Sequence, residues 1–256
     1  MTAPFWRGVI SFGMVAIPVK MSVAIETKTI AFHYLHKKCR TRPKQMLYCA
    51  QDKEYFNAAE TVKGYEYSKN QYVIFEEGDF DKVPVRTTHS IDIVGFVKTG
   101  EIDTIYYSDC HYLEPEKLGE KPFALLKSVL EKTGMVGIAK VTFQRREHLC
   151  CLRPLDKILV LQTIHYKQDI LPRDDMAPTA QKLTVAELEM AVKLVQAMTT
   201  SFKPEEYKDE YTLALKKMVE DKLKGVEIKA PEIEKIEFED LMTALKQSVL
   251  SASGKR

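Results

Sequence analysis

The chain has 256 residues, 45% of them apolar, and a formal net charge of +2. That is enough for one large domain or two smaller ones around a sizeable core, with the composition of an ordinary globular protein. It has no apolar run of the roughly 18 residues that a membrane-crossing helix needs, and Arg7 and Gly8 interrupt the start where a secretion signal would be basic and then apolar. The expected setting is cytosolic, where five cysteines with no secreted context stay reduced.

Residues 5–25 alternate like β-structure, with Gly8 and Gly13 where the chain must bend or pack closely. Strand character returns at 72–76, 91–97, 103–113, 136–143 and 156–166. One helix interrupts: Pro122 suits its first turn, Phe123, Leu126, Val129 and Leu130 form its face, and Gly134 ends it. Residues 167–182 read as a connecting loop. Thr184-Val185-Ala186-Glu187 is a capping box, and Leu188, Ala191, Val192 and Val195 follow at helical spacing, which predicts a helix over 184–199. A second is predicted over 204–224, starting at Pro204, with Tyr207, Tyr211, Leu215 and Met218 on its face and Gly225 closing it. Residues 226–237 read as a charged linker, and Phe238, Leu241, Met242, Leu245 and Val249 make a last amphipathic stripe. The fold class is mixed, mainly β, with a helical appendage.

Charge is unevenly spread along this layout. Residues 1–60 hold nine Lys/Arg against four Asp/Glu, and residues 230–250 hold two against five. A basic front and an acidic tail suggest separate partners. Lys37, Lys38, Arg40, Arg42 and Lys44 put five cations in eight residues, a density that self-repels unless an anion lies nearby. Duplex phosphates are such an anion, and binding them releases condensed counterions; a solvated surface loop is the alternative. Nothing resembles a recognition helix for the major groove, so the expected binding is independent of base sequence and strongly salt-dependent.

Two N-terminal segments, Trp6-Arg7-Gly8-Val9-Ile10-Ser11-Phe12-Gly13 and Phe32-His33-Tyr34-Leu35-His36-Lys37-Lys38-Cys39-Arg40, are followed by Val62-Lys63-Gly64-Tyr65-Glu66-Tyr67 and Glu101-Ile102-Asp103-Thr104-Ile105-Tyr106-Tyr107. Tyr112-Leu113-Glu114-Pro115, Ala124-Leu125-Leu126, Gly137-Ile138-Ala139-Lys140, Arg146-Glu147-His148-Leu149 and Leu152-Arg153-Pro154 come after them. In this order and spacing, over roughly residues 5–228, the chain resembles the bacterial Ku proteins, homodimeric rings that bind DNA ends in non-homologous end joining. The eukaryotic Ku core is similar in its Ala-Leu-Leu helix followed by a paired-arginine strand, which fits Arg145-Arg146.

The resemblance implies a Ku-type β-barrel with a strand-built bridge over DNA within residues 1–182. It implies a helical arm for dimerisation over 183–228, and a linker with a short ligase-recruiting helix over 229–256. It implies a nucleoid-associated protein that is not an enzyme and whose partners are double-stranded DNA ends, a second copy of itself and the ATP-dependent DNA ligase D. The candidate DNA contacts are Arg7, Lys20, Lys37, Lys38, Arg40, Arg42, Lys44, Arg145 and Arg146. Those for dimerisation are Tyr207, Tyr211 and Leu215, and those for the ligase are Phe238, Leu241, Met242 and Leu245. The last stripe suits either a groove on a partner or a fold-back onto its own domain. The chain ends at Ser251-Ala252-Ser253-Gly254-Lys255-Arg256, without the Lys-rich extension of many family members.

Several bacterial Ku proteins carry a further CxxC pair beside the basic loop. Here Cys49-Ala50-Gln51-Asp52 has Asp in the place of its second cysteine. Cys39, Cys49, Asp52 and one of His33 or His36 would be a mixed zinc set, but structural zinc favours Cys and His, so no metal and no cofactor is expected. The alternative reading is a zinc-dependent nucleic-acid module around 33–52 on an unrelated body. An enzyme is the other rival. No GxxxxGK[ST], HExxH or GxSxG motif is present, and Glu147-His148 beside Cys150-Cys151 diverge as neighbours on a strand.

Overall fold

The structure, a computed structural model, describes residues 3–80, 82, 89–144, 146–173, 182–226 and 241–253. Strands β1 (Trp6–Phe12) and β2 (Val15–Val23) form a hairpin in register from Trp6↔Met21 to Phe12↔Val15. Gly13 turns it at φ +59°, a conformation a side chain would strain. Three short antiparallel or helical pieces follow: the pair β3 (Leu47–Cys49) and β4 (Glu54–Phe56), the pair β5 (Lys63–Ser68) and β6 (Gln71–Phe75), and the single turn α1 (Glu77–Phe80). Then come β7 (Ser90–Lys98), β8 (Tyr107–Pro115), α2 (Glu120–Thr133), β9 (Met135–Phe143), β10 (Arg146–Leu155) and β11 (Ile158–Ile164). Helices α3 (Val185–Met198), α4 (Glu210–Leu223) and α5 (Leu241–Ser253) complete the chain.

Seven strands close a barrel in the order β1-β2-β8-β11-β10-β9-β7. All neighbours are antiparallel except β1 and β7, whose parallel pairing through Val9↔Ser90, Ile10↔Ile91 and Ser11↔Asp92 shuts the sheet. Alternation sends Ile10, Ile17, Val19, Met21, Ile91, Leu113, Val141, Leu152, Leu159 and Leu161 inward, all almost wholly buried. α2 adds Phe123, Leu126 and Leu130 to the same core. Val129, expected on that face, is exposed, because the three core positions already form the stripe that meets the barrel. Gly8 leaves room for the Trp6 indole: a Cβ there would fall on the Trp6 ring and on the His89 carbonyl. The indole N–H donates to the Thr142 carbonyl at 3.3 Å, which ties β1 to β9.

The chain divides into two compact units, residues 1–27 with 33–172, and residues 28–32 with 173–256. In the second, α3 starts at the predicted capping box: Thr184 Oγ1 accepts from the Glu187 amide at 3.3 Å, and Glu187 accepts from the Thr184 amide at 2.7 Å. The helix predicted from Pro204 starts later. Pro204–Glu206 is only a 3₁₀ turn, and Asp209 caps α4 by accepting from the Thr212 amide at 2.9 Å. Tyr207 therefore lies before the helix, not on it.

Candidate nucleic-acid interface

The basic loop is a tight turn. The Arg40 amide donates to the His36 carbonyl at 2.7 Å, the His36 amide donates to the Thr41 carbonyl at 2.9 Å, and Arg40 takes φ +56°. Cys39 Sγ sits inside it, 2.9 Å from both His36 Nδ1 and Thr41 Oγ1. Those contacts, Thr41 first and then His36, favour the thiolate and lower the thiol to about 7. Lys37, Lys38, Arg40, Arg42 and Lys44 are all exposed.

The other candidate cations stand apart from this loop in their pairing. Arg7 Nη1 lies 3.4 Å from Glu116 Oε1, and Lys20, cross-strand from Arg7, is also cross-strand from Glu114. Arg146 is exposed at the start of β10, while its neighbour Glu147 is held by Lys140 at 3.0 Å. Arg145 lies outside the described residues.

None of residues 31–80 is buried. This segment carries the basic loop and both two-stranded pairs, and it is rich in aromatic and branched side chains. On β5–β6, Tyr65 faces Val73 and Lys63 faces Phe75 on one side, while Gly64 faces Ile74 and Glu66 faces Tyr72 on the other. Tyr65 and Ile74 are each more than 60% exposed. Tyr48 and Tyr55 meet across β3–β4 at 5.0 Å, also in the open. An isolated two-stranded hairpin is marginal in water, and a contiguous exposed apolar patch marks an interaction site. These aromatics escaped the sequence reading, although the alternation in 63–68 and 71–75 around Asn70 (φ +61°) is a hairpin signal.

The proposed zinc donors fall into two similar turns. One pairs His36 with Cys39. The other pairs Cys49, whose Sγ donates to Asp52 Oδ2 at 3.0 Å, beneath a Lys53 amide bonded to the Cys49 carbonyl at 2.9 Å. Among the described residues, no three His, Cys, Asp or Glu side chains are grouped to hold a metal ion. Cys150 and Cys151 are buried packing residues, and burial raises both thiols, Cys151 to about 11.

In the second unit Tyr207 and Tyr211 are exposed and Leu215 is half-buried. Phe238 lies outside the described residues, as does the expected linker beyond Val226. Leu241 is exposed, and Met242 and Leu245 are half-buried. Among the described residues, no helix is long and apolar enough to cross a membrane.

One titratable cluster was invisible in the sequence. His111 and His148 face into the end of the barrel at the β9–β10 turn. His148 stacks on Phe143 at 4.1 Å, and His111 meets Phe143 and Phe5 at 5.5 Å. Among the described residues, neither His111 Nδ1 nor His148 Nε2 has a hydrogen-bond partner. Burial lowers both imidazoles; the neighbouring His148 adds to this at His111 and the Arg146 guanidinium adds to it at His148, while Asp109 opposes both. They are neutral when folded and take up protons more readily when unfolded. Their contribution is therefore complete above about pH 6.5 and is lost as pH falls below it. The urea midpoint is expected to drop between about pH 7.5 and pH 5, and His148→Gln should flatten that dependence. An equal slope in the variant would contradict the assignment.

Residues 11–190 match the family of the Ku70/Ku80 beta-barrel domain. Among curated proteins, the chain is 40% identical to a non-homologous end joining protein Ku of Solibacter usitatus, over 100% of this chain and 96% of that protein. It is 41% identical to one of Archaeoglobus fulgidus, over 95% and 97%, and 38% identical to one of Desulfitobacterium hafniense, over 98% and 88%.

Proposed function

We propose that this chain, which belongs to the Ku family, works as a homodimeric ring that holds double-stranded DNA ends and recruits the ATP-dependent ligase D for end joining. One observation carries the reading beyond the family: none of residues 31–80 is buried within its own chain. Fifty residues with five clustered cations and two apolar hairpins are a surface that lacks its partners. A second copy covers the hairpins and a duplex meets the cations. The barrel supplies a rigid frame for both, and its body is a Ku barrel, which removes the reading of a zinc module on an unrelated body.

In this reading Lys37, Lys38, Arg40, Arg42 and Lys44 grip phosphates, with Arg146, Lys20 and, more weakly, the carboxylate-paired Arg7. Contacts to phosphate position the protein and carry no base sequence. Preference for ends comes from topology, because a closed ring loads only where a duplex stops. Tyr207, Tyr211 and Leu215 belong to the arm that embraces the second copy. The protein is a scaffold rather than a catalyst, acts at the nucleoid, and offers Leu241, Met242 and Leu245, with Phe238, to the ligase.

Cys39 reports on the loop directly. With a thiol near 7 and an exposed sulfur, it should alkylate readily at neutral pH. Saturating linear duplex is expected to slow iodoacetamide labelling of Cys39 by about tenfold, read by peptide mass spectrometry. An unchanged rate would take the loop off the DNA path.

A further inference from the structure

We propose that α3 and α5 form a latch, in which α3 covers the apolar stripe of α5 and a ligase must displace α3 to be recruited. The proposal rests on the reading of α5 as the recruiting helix. α5 packs along α3. On α3 the half-buried apolar positions are Met190, Ala191, Leu194 and Ala197, and on α5 they are Met242, Leu245, Val249 and Ala252, with Ala244 beside the stripe. Each set follows the three-and-four spacing of a single helical stripe. The other apolar side of α3, with Leu188, Val192 and Val195, stays exposed.

A helix with one apolar stripe cannot present it to two partners at once. Met242 and Leu245 are the residues a ligase groove would take, and they are half-buried on the helix that packs along α3. The contact is also built to be broken. No described residue of α3 or α5 is fully buried. At one end of the pair, Leu194, Ala197 and Met198 and, across from them, Gln247, Ser251 and Ala252 border an open groove of about 680 Å³. A segment with few buried contacts opens at the low end of a protein's stability range. A latch closed about nine-tenths of the time lowers the apparent affinity for a competitor about tenfold.

The test uses the full chain, Leu194→Glu on α3, Leu245→Glu on α5, and purified ligase D as the probe. Amide hydrogen exchange of α5 is followed without ligase, and ligase affinity by calorimetry. The latch predicts that Leu194→Glu speeds exchange in α5 and tightens ligase binding by about tenfold. Ala197→Glu is the second wedge if Leu194→Glu does not fold. Faster exchange with unchanged affinity, while Leu245→Glu abolishes binding, would overturn the latch and leave α5 as the recruiter. Ligase binding that survives Leu245→Glu would overturn the recruiting reading, and the latch as a gate with it. Wild-type α5 exchanging as fast as a free peptide would overturn the latch whatever the ligase does.

Discussion

Replacing Lys37 and Lys38 together by Glu is expected to weaken binding to linear duplex by about a thousand-fold at roughly 0.1 M salt. Each phosphate contact contributes about 0.9 to the slope of log affinity against log salt. The proposed homodimer carries both lysines twice, so four contacts vanish, and the slope should flatten by about 3 to 4. Both side chains are exposed in a turn held by backbone bonds of His36, Arg40 and Thr41, so the fold has no reason to change. Arg7→Glu is the internal comparison. Arg7 already sits 3.4 Å from Glu116 and should matter less. Filter binding across a salt series reads both quantities. An unchanged slope for the double variant would remove the loop from the DNA path.

The second large effect is expected on β6. Val73→Asp places a charge beside Tyr65, on the face that also carries Phe75. In one chain this face is open, so the variant should fold and melt like the parent. In the proposed dimer it becomes a buried, unpaired charge, of the kind that costs about 2 kcal/mol or more at an interface centre. Two such positions per dimer should shift sedimentation from dimer to monomer at micromolar concentration, with end binding falling about a hundred-fold as the ring opens. A Val73→Asp protein that stays dimeric would place the interface elsewhere.

How much of this was legible depended on how local each feature is. The start of α3 was readable because Thr184 and Glu187 complete their cap within four residues. The end of α2 was readable because Gly134 takes a left-handed φ of +64°. The β character of residues 5–25 was readable from their alternation, but not which of Gly8 and Gly13 turns the hairpin. Pro204 misled, since a proline that suits a helix start also suits a 3₁₀ turn, and the competing cap at Asp209 won. β6 was read as strand at 72–76, but β3 and β4 are too short for alternation to stand out and the partner strand β5 was not read as one, so the apolar hairpins were found only in the structure. Barrel closure pairs Ile10 with Ile91, far apart in sequence, and no local pattern encodes it. The family resemblance supplied the barrel. The fate of α5 stayed open because an amphipathic stripe does not name its partner, and α3 turned out to lie against it. The inward histidines, His111 and His148, were hidden because an isolated histidine on an alternating strand looks like any other polar residue.

The cations and the hairpins lie in one segment that lacks a core, and the proposed ring uses both. The most direct test is competition at fixed salt between a linear duplex and closed-circular DNA of the same sequence for the wild-type protein. A strong preference for the linear form is the expected result, since a ring needs a free end. Equal competition would contradict threading, and the basic loop would then be an ordinary phosphate-binding surface.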